Sequence, residues 1–119
     1  RFRGNSTFRN YRFTAVRNVF SGFIRFSKDV VFDNNGFQSD FSSGCSLSNT
    51  GDASRVVFRG DTIFKNSYCE GAALWNLGGT AKFYGKAFFN ENNRLDTTAT
   101  YNIDRDLGGA VVVSGGALT

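Results

Sequence analysis

The side chains in this sequence that could perform chemistry are chiefly carboxylates. The chain holds ten Asp and Glu residues and no histidine, so Ser-His and Cys-His catalysis and most zinc sites are excluded. Asp33 and Glu91 occupy nearly equivalent places in a sequence repeat, but two repeats apart. Stacked strands would put them about 10 Å apart, too far for a retaining glycosidase and near the upper limit for an inverting one. A polysaccharide-acting enzyme is thus an alternative, and we expect no catalytic residue.

A second candidate is a calcium loop. The segment from Asn102 through Ile103, Asp104 and Arg105 to Asp106 places three oxygen-bearing side chains at alternate positions, as calcium loops do. It lacks the glycine expected at the sixth place of such a loop and the glutamate at the twelfth, where Val113 stands. A turn between repeats is the alternative. No phosphate-binding glycine loop is present either, and we expect neither a metal nor a cofactor.

Cys45 and Cys69 lie 24 residues apart, which is neither a metal-ligand spacing nor a disulfide-rich pattern. Cys45 opens a short repeated strand, and Ala72 is its equivalent one repeat later. Cys69 lies three residues before Ala72, so the two thiols could approach each other across a turn. A disulfide is therefore possible, and it would indicate an oxidising compartment.

Positive charge is concentrated near the start of the sequence. The whole chain carries a formal charge of +4, yet residues 1–28 hold seven basic residues and no acid. The basic residues are Arg1, Arg3, Arg9, Arg12, Arg17, Arg25 and Lys28. Such asymmetry predicts contact between residues 1–28 and an anionic surface, although a solvated outer strand face is an equal alternative. We expect no nucleic-acid binding, because the interleaved phenylalanines are needed inside the protein.

Two motifs alternate along the chain. The first motif consists of two phenylalanines separated by five residues, with a polar residue soon after the second. Its four copies begin 24, 32 and 25 residues apart. They start at Phe2, Phe26, Phe58 and Phe83. The second is Gly, a small residue and a short strand, and it begins at Gly44, Gly71 and Gly109. Self-similarity at this period is typical of repeat architectures.

We predict an all-β fold, a right-handed parallel β-helix (solenoid) of about four to five short coils that forms a single domain over residues 1–119. Stacking would place Phe26, Phe58 and Phe83 in one internal column. Phe8, Phe32, Phe64 and Phe89 would form a second column. Asn10, Asn34 and Asn66 follow a strand, where asparagine tolerates left-handed geometry. A β-sandwich competes, but it has no reason for a motif that recurs at one coil length.

The motifs resemble the repeats of the chlamydial polymorphic outer membrane proteins, which are marked by Phe-x-x-Asn and Gly-Gly-Ala followed by an aliphatic residue. Residues 32–35 and 89–92 match the first motif, and residues 108–111 and 115–118 match the second. Residues 64–67 depart from it by placing the asparagine one position early, and residues 71–73 lack the first glycine. The resemblance implies a right-handed β-helix and, for the bacterial members, a surface adhesin. It lies in scaffold residues alone, so adhesion does not transfer with it.

The longest period contains an insertion at residues 93–107, and insertions in repeat proteins often form binding loops. Tyr101 and Ile103 in this insertion are predicted partner contacts, and so are Phe37 and Phe41, which fall outside the core register. The sequence starts and stops within a repeat, and we take it as a processed chain or a fragment.

Open repeat ends predict other protein chains that cover them. The predicted function is a non-catalytic, protein-binding β-helix module, a scaffold or accessory subunit held in a larger assembly. The alternative is a repeat of a secreted or cell-surface adhesin or filament. A non-cytosolic location is favoured, either secreted or cell-surface or on the lumen side of a membrane complex.

Overall fold

The computed structural model describes residues 1–36, 46–67, 73–92 and 111–119, and this part of the chain is all-β. No helix there is long and apolar enough to cross a membrane. The strands of the described residues are short, most of them four residues long. They are β1 Ser6–Arg9, β2 Val16–Val19, β3 Phe23–Phe26, β4 Val30–Asp33, β5 Leu47–Thr50, β6 Arg55–Phe58, β7 Thr62–Lys65, β8 Leu74–Leu77, β9 Thr80–Phe83, β10 Ala87–Asn90, β11 Val111–Ser114 and β12 Ala117–Leu118.

Each strand pairs in parallel with the strand three positions later in the chain. This rule produces three four-stranded sheets. Sheet 1 has the order β1-β4-β7-β10, sheet 2 the order β2-β5-β8-β11, and sheet 3 the order β3-β6-β9-β12. One strand of each sheet makes one repeat, so the chain visits the three sheets in turn. The predicted all-β parallel architecture is confirmed, and it differs from the antiparallel pairing of a β-sandwich.

The strand register aligns the recurring phenylalanines. Phe8, Phe32, Phe64 and Phe89 are successive partners across sheet 1. Their rings stack at centroid distances of 5.1, 4.8 and 4.9 Å. The column predicted for these four residues is therefore confirmed.

The second column lies in sheet 3. It contains the predicted Phe26, Phe58 and Phe83, and the structure adds Phe2 at its end, with stacking distances of 4.8, 5.2 and 4.5 Å from Phe2 to Phe83. The two columns meet edge to face, for example Phe58 on Phe64 at 6.1 Å. Aromatic pairs in these geometries contribute about 0.5–1.5 kcal/mol each beyond the burial of their area. The phenylalanines of the inner repeats are at most 1% exposed, and these columns form the centre of the core.

The polar residue after each sheet 1 strand has the left-handed backbone expected of it. Asn10, Asn34 and Asn66 have φ angles of 61°, 56° and 56°. Glu91 takes the same position in the next repeat with a φ of 50°. Asparagine is preferred because its short side chain tolerates this conformation and bonds nearby groups. The Asn34 amide, for instance, donates to Oδ1 of Asn10 at 2.7 Å.

The last asparagine of the Phe-x-x-Asn motif joins neighbouring repeats. Asn35 donates to the Phe8 carbonyl and accepts from the Tyr11 amide, both in the preceding repeat. Asn92 does the same two repeats further on, with the Phe64 carbonyl and the Ser67 amide. The Tyr11 and Ser67 amides lie beyond the ends of β1 and β7, so these side-chain bonds satisfy donors that strand pairing leaves open. The motif is therefore a structural one.

A buried asparagine ladder runs through sheet 2. The amide of Asn18 donates to Oδ1 of Asn49 at 2.7 Å, and the amide of Asn49 donates to Oδ1 of Asn76 at 2.6 Å. Each amide also donates to a backbone carbonyl of the following turn or strand. All three side chains are at most 4% exposed. The ladder ends where Val113 pairs with Asn76.

Glycine at the turn between sheets 3 and 1 allows the repeats to approach closely. A methyl group on Gly85 would collide with the backbone of Gly60, whereas one on Gly4, at the same place in the first repeat, would meet nothing within 4 Å. We expect Gly85→Ala to lower the free energy of unfolding by about 1–3 kcal/mol through overpacking. Urea denaturation measures this, with Gly4→Ala as the matched control. Equal effects of both variants would contradict the close-approach explanation.

Candidate functional site

The outer face of sheet 3 carries four cationic side chains around Val57. Register places Arg25 and Lys82 on either side of Val57 in the neighbouring strands. Arg55 lies two residues before Val57, and Arg59 lies two residues after it. Because side chains alternate between the faces of a strand, all three share the outer face of sheet 3. We call Arg25, Arg55, Arg59 and Lys82 the basic face.

The basic face has dimensions that suit a multivalent anion. Strand geometry separates Arg25 from Lys82 by about 10 Å and Arg55 from Arg59 by about 13 Å. A groove of about 440 Å³ lies here. It is lined by Phe23, Arg55, Val56, Val57, Thr80, Lys82 and Tyr84.

Tyr84 holds two of these cations in place. The Arg59 guanidinium lies 3.9 Å and the Lys82 ammonium 4.9 Å from its ring centroid, both in cation–π contact. A hydrogen bond from Lys82 lowers the pKa of Tyr84 and outweighs the opposing desolvation, and the charges of Lys82, Arg59 and Arg25 lower it further. The phenol therefore lies in a positive local potential.

None of the four cations is neutralised by a carboxylate of the described residues. The ion pairs in that part of the chain join Arg9 and Lys65 to Asp33, on sheet 1. The Nε atom of Arg25 is buried and has no hydrogen-bond partner among the described residues. A buried donor without a partner is costly, and an anionic ligand would supply the missing acceptor.

Asp33 is a structural carboxylate. Burial opposes its ionisation, but the amide of Asn66 at 2.9 Å and the charges of Lys65 and Arg9 outweigh burial and lower its pKa. A carboxyl group held ionised in this way is a poor general acid. Its network with Asn66, Lys65 and Arg9 ties three successive repeats together.

We expect Asp33→Asn to destabilise the protein by about 1 kcal/mol near neutral pH, since one of its partners is well exposed. Because the folded pKa is depressed, the unfolded chain binds the proton first. The contribution of Asp33 is then complete above the unfolded pKa of about 4 and is lost as the pH falls through the folded pKa. Denaturation at about pH 7 and pH 3 tests this. The variant should show a smaller acid-induced loss than both the parent and the exposed control Asp52→Asn, and an undiminished loss would contradict it.

The basic residues predicted near the start of the sequence are distributed around the first repeat. Arg9 projects from sheet 1 and pairs with Asp33, and Arg17 is exposed on sheet 2. Arg3 and Arg12 are exposed outside the strands. Arg1 lies beside sheet 3, where its Nε donates to the hydroxyl of Ser27 at 3.2 Å. The structure therefore does not bring these five cations together, and an anionic partner for residues 1–28 remains a prediction.

Several predicted sites lie outside the described residues. The partner contacts Phe37, Phe41, Tyr101 and Ile103 belong to this group. The same holds for Cys45 and Cys69, for the insertion at residues 93–107 and for the calcium candidate at residues 102–106. These remain predictions. Among the described residues, no group of three or more His, Cys, Asp or Glu side chains is placed to hold a metal ion.

Sequence reasoning did not identify the basic face, because its four cations come from three separate repeats. Arg25 was visible only as one charge among seven in residues 1–28. The available signal was the register: alignment of Phe26, Phe58 and Phe83 puts Arg25, Val57 and Lys82 in one column. Charges that are 57 residues apart in sequence thereby meet on one surface.

The fold and this face define an all-β protein of parallel three-strand repeats with a basic outer surface. Comparison with family models, curated proteins and solved structures finds no match to this chain.

Proposed function

We propose that the chain is a right-handed parallel β-helix that acts as a non-catalytic, protein-binding scaffold held in a larger assembly. The three-strand repeat and its uniform parallel register support this arrangement. Two continuous phenylalanine columns support a rigid rod-like core. Rigidity of this kind suits a scaffold, since a stack of repeats presents fixed surfaces along its length.

The observation that carries the proposal is the open edge of the first repeat, meaning the edge that no other described strand covers. Among the described strands, β1, β2 and β3 are terminal in their sheets. In β1, the amides of Ser6 and Asn10 donate inward to the next repeat, so the alternate Thr7 and Arg9 amides face the open edge. Phe2 at this end is 37% exposed, whereas Phe26 beneath it is 1% exposed. Strands of a partner protein in the same register would satisfy these amides and cover the phenylalanine.

A second candidate function is a repeat unit of a secreted or cell-surface adhesin or filament. It is favoured by the sameness of the register at every layer, because further repeats would extend the three sheets without a change in geometry. A non-cytosolic location is part of both proposals: secreted or at the cell surface for the adhesin or filament, and on the lumen side of a membrane complex for the accessory subunit. Flanking repeats in the full-length protein would favour this candidate over an accessory subunit.

A polysaccharide-acting enzyme receives less support. Asp33, one of the two acids considered for it, is engaged with Arg9, Lys65 and Asn66. Glu91 occupies a left-handed turn position and is exposed. Neither carboxylate lines the groove on sheet 3.

The test is the native mass of the particle that contains this chain, measured after gentle purification. We expect a stable complex with other proteins. The variant Thr7→Pro removes an edge amide that the fold does not use, and it should release the partner. Thr7→Val keeps the amide and serves as the control. A lone monomer, or a complex unaffected by Thr7→Pro at an intact fold, would refute binding through this edge.

A further inference from the structure

We propose that the basic face, together with Phe20 and Phe23, docks the protein on an anionic phospholipid membrane surface. This inference is independent of the proposed scaffold function, because it concerns the outer face of sheet 3 and not the open strand edge. It rests on three features: an unusual aromatic residue at a turn, an exposed apolar corner, and cations beside it that no carboxylate of the described residues neutralises.

Phe20 occupies a turn position that the other repeats give to glycine. The register extends one residue past sheet 2 and aligns Phe20 with Gly51, Gly78 and Gly115. All four have left-handed backbones, with φ angles of 60°, 108°, 81° and 69°. Glycine adopts this conformation freely, whereas a bulky side chain does so at an energetic cost. A strained residue that the fold does not require points to a role in function.

The side chain of Phe20 faces solvent and does not pack in the core. It is 80% exposed, and the next aromatic residue, Phe23, is 63% exposed. Val19, just before Phe20, is 40% exposed. Together they form an apolar corner between sheets 2 and 3. Exposed apolar groups at one corner are typical of sites that meet another apolar phase.

The apolar corner borders directly on the basic face. Phe23 pairs with Arg55 across the sheet and lies two residues before Arg25. Anionic lipid headgroups would meet the four cations, while the corner would enter the interface where headgroups give way to acyl chains. Phosphate oxygens would also satisfy the buried Nε of Arg25.

A membrane accounts for both parts of this surface. An acidic protein or polysaccharide would gain from the cations, but it gives no reason for a strained, exposed phenylalanine beside them. A membrane gains from the charges and from the aromatic side chains at once. We therefore commit to the lipid surface, and acidic polymers become an alternative outcome of the test.

The experiment is co-sedimentation of the protein with large vesicles, compared between neutral phosphatidylcholine and a mixture that also contains phosphatidylserine. We expect binding to the mixed vesicles that weakens as salt is added, and weak binding to the neutral ones. Arg55→Gln and Lys82→Gln should each reduce partitioning about fivefold. Arg17→Gln, which alters an exposed cation on sheet 2, is the control and should have a smaller effect.

The aromatic contribution is tested by Phe20→Gly, which gives the first repeat the residue found in the other three. We expect partitioning to fall about tenfold or more, while the thermal midpoint stays the same or rises because the strained backbone is relieved. Phe88→Ser, an exposed phenylalanine on sheet 1, is the control. Binding unaffected by Phe20→Gly would overturn the proposal, as would equal binding to neutral vesicles. Binding to heparin or poly-glutamate without vesicle binding would overturn it in favour of an acidic polymer.

Discussion

Replacement of Phe58 by alanine is expected to lower the free energy of unfolding by about 3–5 kcal/mol. Phe58 is fully buried and stacks between Phe26 at 5.2 Å and Phe83 at 4.5 Å. It also meets Phe64 edge to face at 6.1 Å. Its removal would leave a cavity that the regularly spaced strands cannot close, because backbone hydrogen bonding fixes the distance between repeats.

The measurement is urea denaturation followed by circular dichroism. The matched control is Phe88→Ala, since Phe88 is 48% exposed on the outside of β10, and its loss should change stability by no more than about 0.5 kcal/mol. Similar losses in both variants would show that the internal columns are not the main source of stability. A large loss with Phe58→Ala alone would support the packing described above.

Asn49→Ala is expected to cost about 2–4 kcal/mol. Asn49 is the middle member of the buried ladder: it accepts from Asn18 and donates to Asn76 and to the Thr80 carbonyl at 3.2 Å. Alanine would leave Oδ1 of Asn76 and one lone pair of the Thr80 carbonyl without this donor in the buried interior. A buried polar group that loses its partner costs its full desolvation penalty.

The appropriate control is Asn90→Ala, because Asn90 is exposed and lies outside this ladder. Amide hydrogen exchange adds a local measurement to global unfolding. We expect Asn49→Ala to speed exchange at the start of β9, where the Thr80 amide donates to the Ser54 carbonyl at 2.9 Å. Unchanged exchange there, together with unchanged stability, would show that the ladder follows the fold without supporting it.

Two kinds of interaction stabilise each repeat: aromatic packing and buried amide hydrogen bonds. The phenylalanine columns stabilise sheets 1 and 3 by dispersion and burial, and the asparagine ladder fixes the alignment of sheet 2. An apolar column has no directional demand, so it tolerates small shifts between repeats. A hydrogen-bonded amide column does not, since its donors and acceptors must meet at about 2.7–3.2 Å. We infer that the ladder specifies the register, while the phenylalanines supply most of the energy.

The sequence predicted the features that depend on its own periodicity. An even spacing between the two phenylalanines of each copy favours side chains on one face, and recurrence of the motif at roughly one coil length favours parallel stacking. The left-handed asparagines were also predictable, because Asn10, Asn34 and Asn66 follow a strand and few other residues accept that backbone. In each case the information is local, or it repeats along the chain.

The remaining features depend on the tertiary structure. The order of the strands in sheet 3 determines which cations become neighbours. Arg25, Arg55, Arg59 and Lys82 therefore form one surface, although they are spread over three repeats of the sequence. The same register shows Phe20 to be the exception in a column of glycines. It also distributed Arg1, Arg3, Arg9, Arg12 and Arg17 around the first repeat. The periodicity of the sequence determined which side chains lie inside. Outer side chains have no burial requirement that would give them a sequence pattern, so only the alignment between repeats decides which of them become neighbours.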